Sequence, residues 1–252
     1  MKKTSKILVL AISVIFFMGG TAMAVTLGDN YNEDNLQEVF DQFITTGSIN
    51  AQNDQAVDQS GAGIGAWNMS EGAIDAYLIT MLKGDSGVLG IYSTSTDAEH
   101  DLVLGDDNGV SFGINDDGHL WIDGAEIDTS FGDTFGFYWK NTSTPLMSYT
   151  EDSKNVAGTG YGDDNTLGIS YLVPEGYGVK TRTMGGTTVA AKANDDWILA
   201  FEDRKELGGD GDFNDAVFYI EDMEPVPEPS TVILLGLGLL GLVGFKMKRN
   251  KK

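Results

Sequence analysis

The chain has 252 residues, with 38 acidic against 16 basic side chains, two histidines, 33 glycines and no cysteine. All 38 acids lie within 25–231 beside only eight bases, so that body carries −30. A polyanion of this strength excludes nucleic acid and bare anionic membrane as partners and favours cations. Without cysteine there is no disulfide, thiolate site or cysteine nucleophile, and two distant histidines are too few for a histidine-rich zinc centre.

Lys2, Lys3 and Lys6 precede an apolar run from Ile7 to Phe17, then Gly19-Gly20 and Ala22-Met23-Ala24. A basic start, an apolar stretch of this length and an A-x-A site predict a secretory signal peptide over 1–24, with Ala22 and Ala24 at its cleavage site. The folded body then begins near Val25. From Asp34, apolar Leu36, Val39, Phe40 and Phe43 recur at the spacing of one helix face. Asp34 or Asn35 can cap this helix, with Gln37 or Glu38 three residues on, and Gly47 is a natural stop. Residues 48–63 are polar and glycine-rich and are expected as a loop, which sets a helix-and-loop unit at 25–63.

Beyond Ile64 the pattern changes to short runs rich in β-branched and aromatic residues, among them Ile74–Leu82, Val88–Tyr92, Val110–Ile114, Phe135–Trp139, Leu167–Val173, Trp197–Phe201 and Ala216–Ile220. Asn115–Gly118 and Asp123-Gly124 separate neighbouring runs as turn signals. About ten such strands with tight turns predict a mainly β body over 64–222, an antiparallel β-sandwich of jelly-roll type beside the single N-terminal helix.

The densest polar group falls between the last two runs: Glu202, Asp203, Asp210, Asp212, Asn214 and Asp215. That connection is far longer than the two to five residues of an ordinary hairpin. Calcium takes six to eight oxygen ligands from carboxylates, amides and carbonyls, and these six residues offer such a set. Asp210, Asp212, Asn214 and Glu221 also fall at EF-hand positions, but Asp215 stands where that loop requires glycine, and the strand 216–220 carries Glu221 away. An EF-hand is excluded. A solvated acidic loop, partly neutralised by Arg204 and Lys205, is the competing reading. Two further alternatives concern glycans. Trp67, Trp121, Trp139, Trp197, Tyr161, Tyr171 and Tyr177 could form a sugar-stacking face. A carbohydrate-active enzyme needs two placed carboxylates, which 38 acids neither locate nor exclude. No nucleophile elbow, P-loop or H-E-x-x-H occurs, and the expectation is a non-catalytic protein.

At the far end, the stretch 223–231 reads as a proline-stiffened spacer. The uncharged run Val232–Phe245 reaches only about 21 Å as a helix, short of a bilayer core of roughly 30 Å. Lys246, Lys248, Arg249, Lys251 and Lys252 follow, which keeps that end cytoplasmic and the acidic body outside. The run is expected as a weak, temporary inner-membrane tether.

Two resemblances follow from these residues. Val226-Pro227-Glu228-Pro229-Ser230, the Gly/Leu-rich span and the basic end resemble the PEP-CTERM sorting signal of Gram-negative bacteria. That resemblance implies export through the Sec translocon, cleavage near Pro-Glu-Pro by an exosortase, and a mature protein on the cell surface or in the extracellular matrix of an exopolysaccharide-producing biofilm. The motifs Trp-Ile-Leu-Ala-Phe-Glu-Asp and Gly-Asp-Phe-Asn-Asp-Ala-Val-Phe, with Val88–Tyr92 and Phe135–Tyr138 upstream, resemble the domain-of-unknown-function family DUF4114 over roughly 70–222. It implies an extracellular β-sandwich with a calcium site at Glu202, Asp203, Asp212, Asn214 and Asp215, and no activity; Asp210 is added from spacing. Anionic exopolysaccharide or neighbouring surface proteins are the expected partners.

Overall fold

The computed structural model describes residues 25–28, 34–56, 64–69, 72–81, 87–102, 109–141, 147–161, 165–181, 188–202 and 210–226. The proposed signal peptide with Ala22 and Ala24, the sorting residues Pro227–Ser230 and the tail beyond them lie outside these residues. Among the described residues, no helix is long and apolar enough to cross a membrane.

Helix α1 (Leu36–Phe43) begins as its sequence dictates. Asn35 accepts from the Glu38 N–H and Glu38 reaches back to the Asn35 N–H, a complete capping box. Leu36, Val39 and Phe40 face inward. The helix does not run on to Gly47. Ile44 turns extended and the chain enters strand β1 (Ile44–Thr46), which pairs with a distant strand; Gly47, at φ +91°, turns the chain only afterwards.

The strands that follow are β2 (Trp67–Met69), β3 (Ile74–Met81), β4 (Gly87–Ser93), β5 (Glu99–Leu102), β6 (Val110–Ile114), β7 (Leu120–Ile122) and β8 (Ala125–Asp128). Next come β9 (Phe135–Asn141), β10 (Met147–Tyr149), β11 (Gly168–Val173), β12 (Gly178–Lys180) and β13 (Thr188–Ala190). The last three are β14 (Asp196–Phe201), β15 (Ala216–Ile220) and β16 (Met223–Pro225). The turn at Asp123-Gly124 holds both residues at positive φ, +49° and +78°, as a two-residue hairpin with right-handed strand twist requires.

Every pairing is antiparallel. One large sheet runs β16-β2-β9-β4-β5 with β10 also on β9, and the other runs β11-β14-β15-β3-β6-β7-β8. Their facing sides share one apolar core, in which Trp67, Leu89, Phe135 and Phe137 of the first sheet meet Phe112, Trp197, Leu199 and Phe218 of the second. This is the sandwich. The outer face of the second sheet is covered as well: Ile198, Ala200, Val217 and Tyr219 pack with Leu36, Val39 and Phe40 of α1 and with Val179 of the small sheet β1-β12-β13. Burial on both faces explains why β14 and β15 read as unbroken apolar runs instead of alternating ones.

Residues 34–56 form a third layer on the sandwich. Residues 223–225, expected in the spacer, are β16, an edge strand on β2 whose proline stands at its end, where a missing donor is tolerated. Four of the seven aromatics expected in a sugar-stacking face also lie elsewhere. Trp67, Trp139, Trp197 and Tyr171 are at most 3 % exposed and fill the cores; only Trp121 among the four tryptophans reaches the surface.

Candidate metal centre

β14 and β15 carry the acidic connection at one end of their hairpin. Phe201 pairs with Ala216, so the residues just past each strand start out side by side. Glu202 is pinned by its own backbone: its N–H donates to the Leu167 carbonyl at 3.0 Å, and its carbonyl accepts from Ser148 Oγ at 2.9 Å. Its carboxylate, fully buried, takes the Phe213 N–H on Oε2 at 2.7 Å and the Asp210 N–H on Oε1 at 3.2 Å. The far side of the loop is thus folded back over this one side chain.

Two backbone features make the fold-back possible. Phe213 sits at φ +58°, costly for a bulky residue, and is held there by its bond to Glu202 and by its buried ring against Tyr161, 5.8 Å between centroids. Gly211, at φ +85°, lies under the same tyrosine; a Cβ there would come within 2.7 Å of the ring. The Gly211 carbonyl also accepts from Gly28 at 2.6 Å, which ties in the start of the body.

One oxygen from each of Glu202, Asp210 and Asp212 lies within 4.8 Å of the other two. Asn214, buried, donates through Nδ2 to Asp212 Oδ2 at 2.7 Å and to the Asp34 carbonyl just before α1. Its Oδ1 is buried and has no hydrogen-bond partner among the described residues. Asp215 crowds Glu202 and Asp210 crowds Asp212, and these neighbouring charges disfavour ionisation of Glu202 and Asp212. Burial first, then the Asp215 charge, drives the Glu202 carboxyl far above the usual carboxylate range. Burial and the neighbouring Asp210 push Asp212 up to about 7.

The structure therefore brings together Glu202, Asp210, Asp212, Asn214 and Asp215, while Asp203 lies outside the described residues. Sequence reasoning missed the parts supplied from elsewhere, Asp34 and Gly28 through their backbones and Tyr161 as a wall. No local signal links these to the loop, since only the third layer brings them there. The donor set fits a hard cation. It is all oxygen, its spread matches ligands 2.3–2.6 Å from a common ion, and it contains an amide oxygen with no other use.

With this geometry in place, two comparisons apply. Residues 130–222 match the family described as a domain of unknown function, DUF4114. Residues 225–249 match the PEP-CTERM protein-sorting motif. Both resemblances read from the sequence are borne out, although the DUF4114 match begins at 130 and not near 70, so β2–β8 lie before it. The sorting motif implies export to the cell envelope or surface and exosortase processing. Neither the curated proteins nor the solved structures provide a match to the chain.

Proposed function

We propose that this is a non-catalytic surface or matrix protein of a Gram-negative bacterium, tethered briefly to the inner membrane and released or transferred by its exosortase, and that the Glu202–Asp215 loop binds calcium as a structural ion. The observation that carries the calcium reading is the convergence of Glu202, Asp210 and Asp212, one oxygen of each within 4.8 Å of the others, with the buried Asn214 amide bonded to Asp212. Outside the cell, where calcium is abundant, the ion replaces shared protons and holds the fold-back closed. The body's remaining surface acids, with few bases among them, then suit calcium-bridged contact with anionic exopolysaccharide or with neighbouring chains. Catalysis is a poor use of this geometry. Glu202 and Asp212 are buried, where a substrate has little access to them.

A thermal melt of the chelator-stripped protein tests the ion. At a calcium concentration about 100 times the dissociation constant the expected stabilisation is about 2.7 kcal/mol, or about 5–10 °C in melting temperature for a body of this size. Magnesium, which resists full dehydration, gives a much smaller rise. Asp212→Ala removes the part of the calcium response that this loop supplies. No shift at millimolar calcium returns the loop to a solvated acidic one.

Sorting is tested separately. In a bacterium that carries an exosortase, a Pro227→Ala/Glu228→Ala chain is expected to accumulate as the longer precursor on an immunoblot, while the parent chain is processed. Equal processing of the two overturns the role of these residues.

A further inference from the structure

The third layer covers only part of the second large sheet. Among the described residues, the core beneath that layer takes side chains from β3, β11, β14 and β15 and none from β6, β7 or β8. The outer face of those three strands is open, and its middle strand carries Trp121. Alternation along β7 turns Leu120, fully buried, into the sandwich and Trp121 outward. The indole is 38 % exposed, whereas the other three tryptophans are at most 3 % exposed.

Register decides what surrounds this ring. On one side Trp121 pairs with Gly113 of β6, which has no side chain to stand over the indole. On the other it pairs with Glu126 of β8. His119, two residues before Trp121 and so on the same face, meets Glu126 with Nδ1 to Oε1 at 2.6 Å. Both side chains reach solvent, at 29 % and 37 % exposure. Ser111 and Asp123 form the next rung, where the Ser111 N–H donates to Asp123 Oδ1 at 3.1 Å. A flat apolar plate thus lies bare on its glycine side and is edged on the other by an imidazole–carboxylate pair.

That arrangement fits one kind of partner. A protein interface needs about 800 Å² on each side with an apolar centre. On these three strands only Trp121 and Ile127 are large, exposed and apolar, and polar residues surround them. One indole has about the footprint of one pyranose ring, which offers a C–H face to an aromatic plate and hydroxyls to polar groups at its rim. Charge narrows the class. Asp116, Asp117, Asp123, Glu126 and Asp128 lie within 110–128, which holds no Lys or Arg, so a polyuronate is repelled and an uncharged sugar is not.

We propose that the open face of β6, β7 and β8 binds an uncharged pyranose unit of a polysaccharide, stacked on Trp121 with its hydroxyls held by Glu126 and His119. Glu126 accepts a hydroxyl hydrogen, and its bond to His119 fixes the carboxylate at the edge of the ring. This site shares no residue with the Glu202–Asp215 loop and needs no metal.

Affinity electrophoresis in native gels is the test. The full chain is run with a chelator in a sugar-free polyoxyethylene detergent, through gels cast with β-glucan, galactomannan, xylan or dextran and through one cast with alginate. At least one neutral polymer is expected to retard the parent chain, and alginate is expected not to. Trp121→Ala, which leaves both cores intact and melts with the parent, loses the retardation. Glu126→Gln, equal in shape, raises the dissociation constant about tenfold, as loss of a charge-assisted hydrogen bond does. Free passage of the parent through every neutral gel overturns the site, as does equal retardation of the parent and Trp121→Ala. Retardation by alginate that vanishes in Trp121→Ala overturns the choice of an uncharged sugar, and unaltered binding by Glu126→Gln overturns the hydroxyl contact.

Discussion

Replacing Trp67 with alanine lowers the free energy of unfolding by about 3–5 kcal/mol, the range for emptying a fully buried large aromatic site. The indole is 0 % exposed and spans the two large sheets. It sits 5.7 Å from the Phe137 ring of its own sheet and meets Trp197 of the opposite sheet edge-on at 5.8 Å. Its strand β2 is only three residues long and also carries β16, so a cavity here loosens the C-terminal edge together with the core. Trp67→Phe costs much less, because it keeps most of the ring contact and removes an indole N–H that has no acceptor among the described residues. Trp121→Ala, at a site 38 % exposed, stays within about 0.5 kcal/mol. Urea midpoints at constant slope read all three. Equal costs at Trp67 and Trp121 contradict the sandwich core. The same burial takes Trp67, Trp139, Trp197 and Tyr171 out of the expected sugar-stacking face and leaves Trp121 exposed, with Tyr161 and Tyr177 partly buried.

Much of this fold is written locally. The stripe Leu36, Val39, Phe40 and the Asn35–Glu38 box specify α1 within one stretch of chain, and Asp123-Gly124 specifies a hairpin by backbone sterics alone. β14 and β15 announce themselves as unbroken apolar runs. The strands that sequence does not reveal, β1, β2, β8, β10, β12 and β16, are all three or four residues long. They are too short to carry a period, and each exists because a partner elsewhere supplies its hydrogen bonds, as Met69 does for Met223. The end of α1 was misplaced for the same reason, because pairing of Ile44 with Val179 overrides the glycine stop. The first acidic group is legible because its members are crowded between two strands. A further acidic group, Asp195, Asp196 and Asp222, is divided between 195–196 and 222, and only the hairpin register unites it. The register was available in principle, since two strands bracketing one loop must face the acids at their outer ends toward each other.

Metal-free protein becomes less stable as pH rises from about 4 toward 8, and calcium removes that decline. Asp212, pushed up to about 7, and Glu202, raised further, both hold protons in the folded state that the unfolded chain releases near its ordinary carboxylate values. A raised folded value means that the contribution to stability is whole below the unfolded pKa and is lost as pH climbs through the folded one. The slope is about 1.4 kcal/mol per pH unit for each proton by which the two states differ. Asp212→Asn, which cannot ionise, removes its share of the slope between pH 4 and 7 and leaves that of Glu202. Calcium requires the ionised carboxylates, so its binding expels the shared protons, and its stabilisation grows over the window in which the metal-free protein weakens. Titration calorimetry at pH 6 in buffers of different ionisation enthalpy measures the expelled protons directly. Binding heats that depend on the buffer, with a release of about two protons per ion at the Glu202–Asp215 loop, one each from Glu202 and Asp212, are expected for buried carboxylates that exchange protons for a metal. Heats that are identical in all buffers place calcium on carboxylates that were already ionised, which are those on the surface and not those packed beneath Phe213 and Tyr161.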